Sequence, residues 1–164
     1  KKEAITLQTK LARRVIRKAF FAPSDKITVA GVDTAYRQNR ACAAVVVFSL
    51  QNLKIIEKVV AVKPARFPYI PGLLSIREGP VILEALSRLK AAPDVLMVDG
   101  HGIAHPRRFG LACHLGVMTG LPTIGVAKRL DFVRDGVVPV KVEILEDNNP
   151  TEAPEPGRWS RQRK

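Results

Sequence analysis

Residues 93–100 read Pro-Asp-Val-Leu-Met-Val-Asp-Gly. Four apolar residues stand in a row between turn formers. The run is too short for a helix and has none of the polar alternation of a half-exposed strand. It fits a buried parallel strand, and such strands need helices crossing between them. The flanking text agrees. "SIREGPVILEALSRLKAA" before it reads as a helix, with Ser75 as N-cap, Glu78 as capping-box partner and Pro80 opening a helix core over 80–91. "RRFGLACHLGVMTG" after it reads as a helix closed by Gly120, and "LPTIGVAK" as one more short strand.

Upstream, Leu7, Leu11 and Val15 recur at helical spacing, so 2–20 reads as an amphipathic helix with a basic outer face. "KITVAGVDTAY" reads as a strand ending near Asp33. "ACAAVVVFSL" and "LKIIEKVVAV" read as a hairpin around Gln51-Asn52. The expected fold is α/β, a mixed sheet flanked by helices over 1–147, followed by a Pro- and charge-rich tail over 148–164.

Composition then narrows the partner. The 164 residues suit one domain, and 27 Lys+Arg against 15 Asp+Glu leave a net charge of +12. That surplus points to a polyanion: nucleic acid first, an anionic membrane surface second. The alternative is a basic surface kept for solubility. Cys42 and Cys113 form no CxxC pair, so neither a structural zinc site nor a disulfide framework is expected, and both read as buried thiols in a reducing, intracellular setting. The charged N-terminal stretch has neither the h-region of a signal peptide nor the length of a membrane span, so no membrane partner is expected.

The chemistry centres on three acids. Asp33 and Asp99 close apolar runs, and Glu78 stands at a helix start between them. In open α/β sheets, sites gather beyond strand ends where the strand order reverses. If the two strands are neighbours, the acids converge. Crowded carboxylates repel, and hard divalent cations such as Mg²⁺ or Mn²⁺ relieve them. Two such ions about 3.5–4 Å apart activate water and stabilise a leaving oxygen of a phosphodiester. Spacing alone also allows Glu78 as a cap and Asp33 as a turn residue, since strand-end acids are common in turns.

The remaining motifs are weaker. His101 and His105 have HxxxH spacing, but Gly102 and Pro106 spoil a helix face, so zinc is not expected. His105 beside Arg107 and Arg108 suits a phosphate contact; the alternative is a loop histidine bonded to backbone. Lys128 at a strand end reads as a phosphate or water ligand or as a solvated lysine. Tyr69 in "FPYIPG" is either an aromatic presented on a rigid loop for stacking or wedging, or a core tyrosine tied by its hydroxyl. Backbone groups after Pro71 and Gly72 suit a displaced base.

The blocks "GVDTAY", "FPYIPGLLSIREGP", "PDVLMVDGHGIAHPRRFGLACHLGV" and "PTIGVAKRL" closely resemble the endonuclease V family, over roughly residues 1–130. The resemblance implies an RNase H-like fold. It also implies a Mg²⁺-dependent enzyme of nucleic-acid repair, with Mn²⁺ as a substitute. The reaction would be hydrolysis of the second phosphodiester 3′ of inosine in DNA or RNA, leaving 3′-hydroxyl and 5′-phosphate ends. Asp33, Glu78 and Asp99 fall on family metal-binding and catalytic positions, Lys128 on a catalytic one and Tyr69 on a wedge position. Nucleic-acid contacts fall on Pro71, Gly72, Arg77, Gly102, His105, Arg107 and Arg108, with a base pocket of backbone near Gly72 and Gly102. A cytoplasmic monomer is expected.

The chain also departs from the family pattern. Cys113 stands where the family usually has Ser, and the part after "GVAKRL" reads as shortened, without the block that supplies a further His or Asp. Asp131 and Asp135 are candidate substitutes. Two alternatives follow: a catalytically weakened inosine- or structure-specific binding module on the same scaffold, and another RNase H-like nuclease such as the C-terminal nuclease of an excision-repair incision subunit.

Overall fold

In the computed structural model the described residues are 1–17 and 26–127. They form α1 (Lys2–Ala12), β1 (Thr28–Arg37), β2 (Arg40–Ser49), β3 (Ile55–Pro64), α2 (Leu74–Leu86), β4 (Val95–Asp99), α3 (Leu111–Thr119) and β5 (Thr123–Val126). The expected mixed sheet forms, in the order β3-β2-β1-β4-β5. β1, β2 and β3 are antiparallel neighbours, whereas β4 runs parallel to both β1 and β5.

Side-chain alternation gives this sheet two unlike faces. Ala30 and Val32 of β1, Ala41, Ala43, Val45 and Val47 of β2, Ala61 of β3, and Leu96 and Val98 of β4 are buried together on one face. Val81, Ile82 and Ala85 of α2 and Leu111, Ala112 and Leu115 of α3 cover them. Alanines on the strands let the helices approach, and the branched residues fill the space between; each fully buried Val or Leu contributes about 1.5–3 kcal/mol. α1 packs on α3 through Leu11, against Phe109 and Cys113.

Several expected boundaries move. β1 does not end near Asp33 but runs on to Arg37, because β2 keeps pairing with it through Arg37↔Arg40. What ends at Val32↔Val98 is its pairing with β4. α2 begins at Leu74, earlier than the expected core, and stops at Leu86 instead of continuing to residue 91. Ser75 is no cap: Leu73 holds that position without a side-chain cap bond, and Pro80 lies inside the helix. The N-terminal helix ends at Ala12, not at residue 20. The hairpin of β2 and β3 forms as expected, its turn held by the Lys54 amide donating to Asn52 Oδ1 at 3.0 Å. Gly120 closes α3 with φ 75°, a left-handed conformation that favours glycine. Lys128, Asp131, Asp135 and the 148–164 tail lie outside the described residues.

Candidate active site

The site lies where β4 stops and β1 continues. Val32↔Val98 is the last pair between these strands. Asp33 and Asp99 come next on each, and by alternation both project from the face opposite α2, where both are exposed. The adjacency on which the acid reading depended is therefore present. Asp33 also accepts the Thr34 amide on Oδ1 at 2.8 Å.

Glu78 approaches from the other side. It sits in α2 and is 8% exposed. Tyr36, on the extension of β1 beyond β4, donates its hydroxyl to Glu78 Oε1 at 3.2 Å. The Arg77 guanidinium lies over the Tyr36 ring, 4.3 Å from its centroid. Burial above all lifts Glu78 to a pKa of about 7, and the charges of Asp33 and Asp99 add to the rise against the Tyr36 bond and Arg77. Tyr36 rises to about 12, by burial first and then by the Glu78 charge. Glu78 is thus neither a cap nor a surface acid. It is a buried carboxylate that feels two others.

This corner suits a hard divalent cation. Among the described residues the ion pairs are Lys63–Glu84 and Arg88–Glu84, so none of the three acids is matched to its own base within 4.0 Å. The Thr34 hydroxyl beside them is buried without a partner. The trio does not close into a cage: among the described residues no three His, Cys, Asp or Glu side chains are grouped as a ready metal site. Oxygen-only donors in an open arrangement suit Mg²⁺, which keeps several waters and takes few carboxylates directly, better than zinc.

Two loops flank the acids. Residues 65–73 lead into α2 and present Tyr69 at 68% exposure, with Pro71 also exposed. The core-tyrosine alternative is thereby removed. Arg77, expected at nucleic acid, donates to the Phe67 carbonyl at 3.1 Å and brackets this loop. Residues 100–110 form the second loop. Its His105 is buried, with Nε2 3.1 Å from the Gly72 carbonyl and Nδ1 accepting the Arg107 amide at 3.1 Å. Those partners assign a neutral ring with its proton on Nε2, and burial together with the Arg107 charge lowers its pKa. Arg107 also donates Nη2 to the Gly72 carbonyl. Its neighbour Arg108 is exposed on a backbone with φ 53°, an uncommon conformation outside glycine.

Glycines set how closely these segments meet. Gly72 has φ 76°, and a Cβ there would come within 2.7 Å of Arg107 Nη2. A Cβ on Gly110 would meet the His101 carbonyl oxygen at 2.1 Å, so this close approach requires glycine. The functional residue that sequence reasoning missed is Tyr36. Tyr36 was legible in part, since it shares strand parity with Val32 and Thr34.

The family model described as "Endonuclease V" matches residues 9–153. The chain belongs to the endonuclease V family. The match also runs past residue 130, where the resemblance had been expected to end. An endonuclease V of Roseiflexus castenholzii is 51% identical over 77% of this chain and 56% of its own length. Another from Rippkaea orientalis is 45% identical over 96% of this chain and 62% of its own. This chain thus spans a little over half to three fifths of the length of these curated relatives.

Solved structures of the family agree. The endonuclease V of Streptomyces avermitilis matches with TM-score 0.75 and 47% identity over 79% of this chain and 57% of its own. One from Ciona intestinalis was solved in complex with a 24mer DNA containing an inosine followed by a ribo-adenosine. It matches with TM-score 0.75 and 33% identity over 84% of this chain and 62% of its own. The helix-flanked mixed sheet is accordingly the RNase H-like fold expected. Family membership sets aside the excision-repair alternative.

Proposed function

We propose that this chain is a metal-dependent endonuclease that hydrolyses the second phosphodiester 3′ of inosine, in DNA or RNA, leaving 3′-hydroxyl and 5′-phosphate ends. The observation that carries the reading is the buried Glu78 within electrostatic reach of Asp33 and Asp99 beyond the end of β4, with none of the three paired to a base among the described residues. The inosine-containing DNA in the Ciona intestinalis complex supports the substrate class.

Asp33, Glu78 and Asp99 would hold Mg²⁺, with Mn²⁺ as a substitute. When bound, the ion supplies positive charge to the phosphate oxygens and acidifies a water. The chain's own groups do the rest. Tyr36 holds one Glu78 oxygen, so the carboxylate turns a fixed edge to the site. Arg108, exposed on the 100–110 loop, attracts the phosphate backbone. Tyr69 stacks on or wedges into the gap left by the displaced base. Backbone near Gly72 and Gly102 lines the base pocket. His105 stays neutral at the pocket wall, and Lys128 takes the phosphate or water role. A base already mispaired or unpaired costs less to displace, which favours lesions before the pocket is reached.

The open arrangement of the three acids, which are not grouped as a ready metal site among the described residues, favours a second reading: a catalytically weakened module that binds inosine or branched structures. One experiment separates the two. The protein is incubated with Mg²⁺ and an inosine-bearing oligonucleotide, and the strands are resolved on a denaturing gel. Cleavage by the wild type that Asp99→Ala abolishes supports the nuclease. Salt-sensitive binding without turnover, unchanged in Asp99→Ala, supports the module.

A further inference from the structure

Gln8 is assigned to no chemistry above, yet its side chain is 1% exposed and fully engaged. Its Nε2 lies 3.1 Å from the Gly72 carbonyl, 3.2 Å from the Phe109 carbonyl and 3.4 Å from Ser75 Oγ. Its Oε1 accepts Arg107 Nε at 2.8 Å. One amide therefore joins α1, the end of the 65–73 loop, the first turn of α2 and the 100–110 loop. An amide suits this place because one branch donates two hydrogens and the other accepts. Glutamate would keep the Arg107 bond but set a bare oxygen against two carbonyls. Methionine would fill the space and supply neither. The Gly72 carbonyl gathers Gln8, Arg107 and His105 at once.

We propose that Gln8 is a positioning residue for base recognition. It fixes the loop bearing Tyr69 and Gly72 against the loop bearing Gly102 and His105, so that the pocket backbone is assembled before nucleic acid arrives. This rests on the reading that those loops hold inosine. Gln8 touches no substrate. It acts by keeping two carbonyls and one guanidinium in register, and preorganised contacts bind more tightly than contacts that must be ordered on arrival.

The test uses the full chain as wild type, Gln8→Met and Gln8→Glu. Affinities are measured in EDTA for an inosine-bearing oligonucleotide and for the same strand with adenine. Hydrogen exchange of residues 67–73 and 101–110 is followed in parallel. In Gln8→Met, inosine preference should fall by about tenfold or more, the effect of losing hydrogen bonds that include a charged partner. Adenine-strand affinity, carried by surface cations, should stay within about twofold. Both loops should exchange faster together. Gln8→Glu, which keeps the Arg107 bond, should lose preference as well, and it carries the test where Gln8→Met does not fold. Equal loss on both strands would show a merely structural role and overturn the proposal. So would retained preference in both variants. A wild type without inosine preference overturns the base-recognition reading itself, an outcome distinct from the failure of Gln8 alone.

Discussion

The two faces of the sheet differ in kind, and the site needs both. One is dry and aliphatic under α2 and α3. The other buries Ile27, Val29 and Val95 where β1 and β4 begin, and carries Asp33 and Asp99 at their far end among side chains that stay open, including Met97 at 40%, Val60 at 52% and Ile124 at 49% exposure. Glu78 belongs to the helix that covers the dry face, and it meets the wet face only beyond the end of β4. A carboxylate on the wet face is ionised at little cost, whereas one on the dry side is costly until a cation arrives. A cation's attraction here therefore depends on where β4 stops and β1 continues.

The sharpest break of that comparison falls on the wet face. Asp99→Ala and Asp33→Ala should each lower inosine-strand cleavage by about a thousandfold or more, since either removes part of the charge that holds the ion. Gel-resolved single-turnover rates with Mg²⁺ check this. Activity within about tenfold of wild type in either variant would detach the wet face from catalysis.

On the dry face the largest effect is on stability. Leu96 is fully buried at 0% exposure, and Leu96→Ala should cost about 2–5 kcal/mol, as lost burial plus a cavity. Urea unfolding midpoints measure it.

The junction of the faces responds to pH. Glu78 binds its proton more tightly folded, at a pKa of about 7, than unfolded, near 4.5. The native state therefore holds the extra proton between these values, and stability falls as pH rises from 4.5 through about 7. The full effect is about 3 kcal/mol. Melts across this range without divalent ions should show that decline in the wild type and a flatter profile in Glu78→Gln. Mg²⁺ should restore more stability at pH values above the window than below it, because the ion favours the charged form. Equal restoration on both sides would place the ion away from Glu78.

Much of this was legible in the sequence, for reasons that also explain the misses. β4, the hairpin and the Gly120 cap rest on local signals: an unbroken apolar run, two β-branched runs around the polar Gln51-Asn52 turn and a left-handed glycine. The extension of β1 from Asp33 to Arg37 carries no such pattern, because its order comes from pairing with β2 alone. Ser75 and Pro80 imitate a helix start, but Ser75 is buried beside Gln8 and the helix begins before it. The three acids could be named from the text, yet Glu78 as a buried group required knowing that Tyr36 folds over it. Gln8 was illegible for the same reason, since its partners lie between 64 and 101 residues away.

The smallest expected effect tests the comparison most directly. Met97 follows Leu96 in β4 and points to the opposite face at 40% exposure against 0%. Met97→Ala should cost less than about 1 kcal/mol, since a half-open side chain loses little burial and leaves no sealed cavity. Urea midpoints for Leu96→Ala and Met97→Ala, measured side by side, give the ratio of the two faces at one step along one strand. A large ratio keeps the wet face open, with Asp33 and Asp99 available to nucleic acid. Equal costs would mean that Met97 is covered in solution. The acids two residues on would then have to be reached from the end of the strand and not across its face.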